Sequence, residues 1–572
     1  MLDSAFTNSS RLGRCSLLAA MVPLAFSVVL SASPLILSAT ASAKENVFPW
    51  LDLDAEYRVE TLYINPLELN GLSATDINFT EQRFRLETGL KPIEQIAVRG
   101  QFDLLSGVLF GDNGDLGGTQ GAGTPTPSSG LALTSRWPNN SAWEVGLLPG
   151  GDPLDPDSYG LVLKEVDPIR INRLYGEAVL PFGLLRVGRQ PSTTGPGINL
   201  HDGSRSNRWG VSRYSPTADR FLFATKISEL FRLISEGDEY VPNRSMDDGV
   251  FIGGAFDLVV EDDISYGGDD LMQGVGLIQW KVKEPTAFGW KWHPFMVQAV
   301  LGGRFGDEFD TQVFAVPVTL EWGVGPVHFL GEFVSLFGHT REISEGMAAL
   351  RETDEAKRVV YDQDILAFAA RAVLDVEVGP VTGTLEFDYA SGDADPRDET
   401  PLTTFNWDRD ANVGLLLFEH VLAFETARSA AVGYENLKHV GSDSFPLTEL
   451  ASDGRFQNAI CAFPQVLYRP WKPLGIRAGA LLAWADEPVT DPIMTLLSED
   501  GVEISDDAVN WHGGKPARYY GTELDLQVEW AFKEYFLWTV EGAVLFPGDA
   551  LRDESGDAVN SFLVENRFTF LF

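Results

Sequence analysis

Apolar and polar side chains alternate residue by residue through segment after segment of this chain. Leu51, Leu53, Ala55, Tyr57, Val59 and Tyr63 are interleaved with Asp52, Asp54, Glu56, Arg58 and Glu60. Phe84, Leu86, Thr88 and Leu90 are interleaved with Arg83, Arg85 and Glu87, and Ile96, Val98, Phe102 and Leu104 with Arg99, Gln101 and Asp103. Towards the end, Leu524, Leu526, Val528 and Trp530 flank Glu523, Asp525, Gln527 and Glu529, and Trp538, Val540, Val544 and Phe546 flank Thr539 and Glu541. A period of two puts each set on its own face of a β-strand. A soluble sandwich also alternates, but charge stacked on so many strands fits a sheet whose second face wets a lumen, in segments of about ten residues.

Composition narrows the alternatives. The chain has 572 residues with 82 acidic and 43 basic side chains, a formal charge of −39. That balance excludes a nucleic-acid binder by default, because phosphate contacts need clustered Lys and Arg. The 36 Phe and 14 Trp are too many for a disordered acidic chain, and two Cys cannot staple a scaffold. Past the N-terminus no run of about 18 apolar residues offers a membrane helix.

Both termini point to export. Arg11 and Arg14 precede an apolar run from Cys15 to Leu37, and Ala41-Ser42-Ala43 supplies small residues before Lys44. A positive start, an apolar stretch and an A-x-A site read as a cleaved signal peptide over 1–43, which would remove Cys15 and leave Cys461 as inert strand packing. At the other end Phe562, Val564, Phe568, Phe570 and Phe572 share one face, with Asn566 the exception, while Glu565, Arg567 and Thr569 share the other. This closing strand resembles the terminal strand of bacterial outer-membrane barrels, the segment their assembly machinery recognises; the resemblance implies that machinery as a partner through Phe572.

Strands are expected at 50–63, 81–91, 95–106, 170–180, 183–190, 219–227, 250–259, 271–283, 294–305, 311–323, 326–338, 358–377, 380–391, 455–469, 474–486, 518–531, 534–546 and 559–572. Short links such as Gly323-Val324-Gly325-Pro326, Val378-Gly379-Pro380 and Phe532-Lys533-Glu534 alternate with long ones near 64–80, 107–169, 191–218, 339–358, 392–454 and 487–517. The alternation breaks at 228–249, which should be short, and is ambiguous at 284–293 and 306–310. Either a strand pair is missing there or a segment folds into the lumen. The expected fold is all-β: a closed antiparallel transmembrane β-barrel of about 18 strands, within roughly 16–20, with short periplasmic turns and long outer loops. Residues 44–572 would form this single outer-membrane domain, without a fixed-period repeat or a linker to a second one.

The candidate lumen-lining acids are Asp52, Asp54, Glu56, Glu60, Glu87, Asp103, Glu321, Glu332, Asp375, Glu386, Asp388, Glu523, Asp525, Glu529 and Glu541. The candidate bases are Arg58, Arg83, Arg85, Arg99, Arg173, Arg371, Arg469, Arg477 and Arg567. Such charges either orient a solute in an aqueous pore or pair across strands and keep the wall wet. The acid excess predicts a mild cation preference.

Leu184-Leu185-Arg186-Val187-Gly188-Arg189-Gln190 with Asp202-Gly203, and Glu386-Phe387-Asp388-Tyr389-Ala390-Ser391-Gly392-Asp393, resemble phrases of the alginate-export family of outer-membrane barrels. The resemblance implies a monomeric channel of that architecture, and a polysaccharide as cargo. A conduit for polyanionic alginate calls for a base-rich lumen, whereas carboxylates outnumber bases here.

Val413 to Arg428 lacks proline and dyad alternation, carries strong helix formers, and reads as an apolar helix folded into the barrel mouth. Packing on a neighbouring loop, or an extra strand pair, are the alternatives. Acidic clusters at Asp112–Asp115, Asp152–Asp157, Glu261–Asp263 and Asp393–Glu399 offer oxygen ligands for Ca²⁺ or for ions bridging lipopolysaccharide, though none has a full calcium-loop pattern. His201, His293, His328, His339, His420, His439 and His512 make no zinc spacing, so no enzymatic activity is expected. The leading expectation is an outer-membrane channel for small hydrophilic solutes or ions. A polysaccharide exporter and an occluded structural barrel are the alternatives.

Overall fold

The computed structural model describes residues 50–69, 77–111, 143–147, 159–163, 169–203, 207–212, 217–243, 248–258, 272–283, 285–287, 290–291, 294–307, 309–352, 354–394, 399–429, 452, 454–491 and 509–572. The expected signal segment lies outside them, as do the acidic clusters 112–115, 152–157 and 261–263 and part of 393–399.

The long strands join one 18-stranded sheet. In chain order they are β1 (Leu51–Asn65), β2 (Ile77–Ile93), β3 (Ile96–Gly111), β4 (Ile169–Leu180), β5 (Gly183–Pro191) and β6 (Thr217–Lys226). Then come β7 (Gly249–Leu258), β8 (Met272–Val282), β9 (Phe295–Gly306), β10 (Thr311–Val324), β11 (Val327–Thr340) and β12 (Gln363–Val378). The last are β13 (Val381–Ala390), β14 (Ala459–Trp471), β15 (Leu474–Trp484), β16 (Tyr519–Phe532), β17 (Phe536–Pro547) and β18 (Ser561–Leu571). Each is antiparallel to its neighbours, and β1 also pairs with β18 from Glu56↔Leu571 to Asn65↔Phe562, so the sheet has no edge. These are the 18 strands of the alternation, with ends shifted by up to five residues.

Both chain ends of the barrel lie at one rim, the turn end. There Gly325 (φ 59°) and Gly379 (φ 61°) each precede a proline in a two-residue hairpin, a geometry that glycine enters without strain. The irregular link at 228–249 also falls at this rim. It holds a helix, α1 (Ile227–Glu236), rather than a missed strand pair, and Tyr240 donates from its hydroxyl to the Pro181 carbonyl at 2.8 Å. The 284–293 link carries only a two-residue hairpin, Thr286–Ala287 with Trp290–Lys291.

The face expected to meet lipid is apolar on every side. Leu53, Val98, Phe221, Ile278, Leu301, Phe333, Leu385, Leu526 and Val564 are 43–55% exposed, and they ring the whole barrel. Soluble proteins rarely leave apolar patches larger than about 300–600 Å² uncovered, and a closed belt far exceeds that. Exposed aromatic residues gather towards both rims: Trp280, Tyr468, Trp471, Trp530, Tyr535 and Trp538 at the turn end, Phe305, Phe337, Trp484 and Phe546 at the loop end. Asn566, the one polar residue on its face of β18, accepts from the Trp538 indole N–H at 2.8 Å and so is not left unpaired.

The buried core lies inside the cylinder. A second helix, α2 (Glu342–Arg351), sits in the β11–β12 loop. A third, α3, begins as a π-turn at Leu417–Leu422 and continues as α-helix to 429. Leu415, Leu416, Leu417, Phe418, Val421 and Phe424 are buried with Trp407, Phe456, Phe463 and Tyr520. An apolar helix in an outer connection must be covered, and this one is covered by the barrel wall and its own loop. Cys461 is buried beside it.

Candidate functional site

Two long connections, 192–216 between β5 and β6 and 391–458 between β13 and β14, fold back into the lumen where they are described. Wall carboxylates grip their backbone. Glu523 on β16 accepts the N–H groups of Leu415, Leu416 and Leu417 at 2.7, 2.9 and 2.6 Å, closing the otherwise unpaired N-terminus of α3. Glu332 on β11 accepts Gly197 and Ile198 N–H at 3.2 and 3.1 Å, and Glu541 on β17 accepts Gly210 N–H at 3.1 Å. Arg208 forks onto Asp375 at 3.0 and 2.9 Å, and the Trp209 indole donates to Gln465 at 3.1 Å while stacking on Phe463. The loops also hold each other, since the His201 N–H donates to Asp408 and Asn412 donates to the Trp209 carbonyl.

Other lumen charges pair on the wall itself. Arg85 bonds both oxygens of Asp103 at 2.7 and 2.8 Å, and Asn172 adds a third bond at 2.8 Å. Arg83 meets Glu56 at 2.7 Å. Arg371 lies between Glu386 (2.7 Å) and Asp388 (3.0 Å), over the Trp407 ring. Arg567 gathers Glu60 (2.9 Å), Glu541 (2.5 Å) and Glu565. Charges this deeply buried are tolerable only when bonded to one another.

Two cavities stand out among the described residues. The first, about 550 Å³, opens towards the turn end and is lined by Asp52, Asp54, Glu87, Arg99, Gln101, Arg173, Tyr175, Glu177 and Arg186. A register shift opposite Gln101 and Phe102 makes consecutive residues Asn172 and Arg173 both usable on the lumen side. Glu177 is shared by Arg99 (3.4 Å) and Arg186 (2.7 Å). The second cavity, about 490 Å³, runs between the inner wall of β6–β11 and the inserted loops, and Arg186 lines it as well.

The wall of this second cavity departs from the expected polar interior. Register pairing aligns Leu222, Ala255, Val275, Gly302, Ala315 and Leu336 in one unbroken row across β6 to β11. Next to it, towards the turn end, lie Ala224, Gly253, Leu277 and Val300. Polar rows bracket the pair. On the loop side Arg220 forks onto Asp257 at 2.6 Å, Gln273 donates to Asp257 at 2.7 Å, and Arg304 donates to Gln273 at 2.9 Å. On the turn side Gln279 donates to Gln298 at 2.7 Å.

No family model matches the chain, and no curated protein matches it. Among solved structures it is similar to the outer membrane protein OpdK from Pseudomonas aeruginosa, at 9% identity over 91% of this chain and 98% of that one, with a TM-score of 0.42. A BenF-like porin from Pseudomonas fluorescens Pf-5 aligns at 10% identity over 91% and 99%, TM-score 0.43. OccAB1 from Acinetobacter baumannii aligns at 10% identity over 91% and 97%, TM-score 0.45.

The 24 candidate lumen-lining residues fall into three groups. Asp52, Asp54, Glu87, Arg99 and Arg173 line the first cavity. Near the turn end, Glu321 lies 3.3 Å from His328, Arg469 lies 3.4 Å from Glu529, and Arg477 sits over Trp209. Glu56, Arg58, Glu60, Arg83, Arg85, Asp103, Glu332, Arg371, Asp375, Glu386, Asp388, Glu523, Glu541 and Arg567 serve wall pairs or loop attachment, most of them buried, and Asp525 is buried in the same wall beside Glu523. Sequence reasoning did not single out Glu177, Arg186, Arg208, Arg220, Asp257 or Arg304 as lumen groups. Alternation marks Arg186 between Leu185 and Val187, but Arg208 sits in a loop where no period operates. The apolar rows also left a trace: β6 to β10 are nearly free of charge in mid-strand.

Proposed function

We propose that the protein is an outer-membrane channel of a Gram-negative cell, passing small solutes along the β4–β11 side of a partly filled barrel. The observation that carries this reading is that the two cavities meet at Arg186, which lines both. The opposite side of the lumen is occupied by α3 and its loop. A polar vestibule at the turn end and a cleft reaching Thr311 and Thr340 at the loop end thus form consecutive stages of one route. Selectivity would come from width and wall chemistry, with no covalent step. In the vestibule Asp52, Asp54, Glu87 and Glu177 face Arg99, Arg173 and Arg186, a near-balance that supports at most a weak cation preference. Lipid and lipopolysaccharide surround the belt, and the Phe572 strand engages the assembly machinery.

The test is planar-bilayer recording on refolded, heat-modifiable protein under a salt gradient. Small ion currents with a reversal potential near zero are expected. Silence from correctly folded protein overturns the channel reading and leaves the occluded structural barrel.

The resemblance to alginate-export barrels supports polysaccharide passage as a second reading, favoured by one observation. The phrases Leu184–Gln190 and Glu386–Ala390 lie on β5 and β13, the two strands from which the inserted loops depart. A sugar chain would need both loops displaced. Deleting 415–429 would then raise conductance many-fold, whereas a small-solute channel along the other wall would change little.

A further inference from the structure

We propose that the β6–β11 wall is a binding site for a solute with an apolar body, an alkyl chain or a single aromatic ring, carrying a compact polar end. The inference rests on the channel reading for its setting and goes beyond it in naming the solute class.

An aqueous lumen normally presents polar side chains inward on alternate positions. Here Leu222, Val275, Leu277, Val300 and Leu336 point into a cavity of about 490 Å³, so these strands are apolar on both faces. The inserted loops do not fill it. A side chain built at Gly302, in the middle of the row, would meet nothing within 4 Å. Across the gap the loops add Leu200, Leu402 and Phe405 among polar Ser192, Thr193, Asn199, Asp202 and Asn406, so the continuous apolar face is that of the wall.

Open apolar surface facing water gains by being covered, at roughly 25 cal/mol per Å². The occupant is defined by what brackets the rows. From the Arg220–Asp257–Gln273–Arg304 row to the Gln279–Gln298 row is six residues of strand, about 20 Å, with the two apolar rows in its central third. That height suits a small body, not a polymer. The bracketing rows accept and donate hydrogen bonds at either end, so a solute with one polar group can enter from either side.

The experiment uses the full-length protein carrying Cys15→Ser and Gly302→Cys, refolded in detergent. Cys461 is buried, so a water-soluble cationic methanethiosulfonate reads position 302, with labelling located by peptide mass spectrometry. Protection is measured with n-alkanesulfonates from butyl to octyl, and with the matching alkyltrimethylammonium ions. Protection strengthening about three- to fourfold per added CH₂, with the same slope for both head groups, is expected. The double variant Val275→Ser, Leu277→Ser in the same background flattens that slope while keeping heat-modifiable mobility. A cysteine at Asp54, in the polar vestibule, shows no length dependence. Length-independent protection at 302, or no labelling of folded protein, overturns the proposal. Because the readout needs no current, a silent bilayer with length-dependent protection would end the channel reading alone. Currents with flat protection would end this one alone.

Discussion

Glu523 on the barrel wall accepts the Leu417 backbone N–H at 2.6 Å, and that one carboxylate completes a helix belonging to a loop more than a hundred residues earlier in the chain. The relationship recurs at Glu332 and Glu541, each holding backbone N–H groups of the 192–216 loop. It supplies a use for part of the acid excess: some lumen carboxylates serve as sockets for loop backbone. A Lys or Arg could not take that role, because an amide N–H needs an acceptor.

Replacing Glu523 with Gln weakens this socket. One amide oxygen accepts fewer bonds than two carboxylate oxygens, and the charge facing the positive end of α3 is lost. Seating of α3 is expected to weaken by on the order of 2 kcal/mol. Hydrogen exchange across 415–429 should quicken about tenfold or more, with the barrel's heat-modifiable migration unchanged.

Arg567 contacts three carboxylates around the β1–β18 seam. Arg567→Met would take from Glu60, Glu541 and Glu565 the buried cation they share. Removing one partner of such a cluster costs about 3–5 kcal/mol. The urea midpoint for unfolding in detergent should fall clearly, while Arg186→Ala, whose side chain is 34% exposed to the lumen, should lower it far less.

Arg186→Ala removes the side chain common to both cavities and releases Glu177 to Arg99 alone. Single-channel conductance should rise about two- to threefold, because access resistance at a constriction falls as it widens. The reversal potential should move towards cation preference, since a positive charge has gone. An unchanged conductance would place the narrow point elsewhere.

Seating of the inserted loops should depend on pH in two opposed ways. Burial, and then the neighbouring Asp410, push the Asp408 carboxyl well above its ordinary range, against the N–H bonds from Asp410 and His201 and the pull of Arg455. The seated loop therefore holds a proton that a released loop would give up. Its seating is strongest below the ordinary carboxyl range and weakens as pH rises from there through the raised value. Burial also opposes ionisation of Glu425, but Arg428 and His512 outweigh it and hold its carboxyl below the usual range. That contribution is present above the ordinary range and is lost as pH falls through the lowered value. Asp408→Asn should abolish the alkaline loosening and Glu425→Gln the acid one, both read as protease sensitivity of the 391–458 loop.

Much of this architecture is legible in the residues alone. The alternation of Leu51–Tyr63 with Asp52–Glu60, and its repeats, marks each strand and assigns its two faces, because a period of two leaves a side chain no other choice. Glycine before proline at 325–326 and 379–380 marks the tight turns. The apolar run Val413–Arg428 signals a helix needing cover. What decided the rest is register and long-range approach. Whether Glu523 faces solute or the N-terminus of α3, whether Leu222, Val275 and Gly302 line up across strands, and whether Arg186 stands at the meeting of two cavities depend on which residues lie opposite one another. Local period fixes a side chain's face, but its neighbour is set only when the sheet closes and the loops settle inside it.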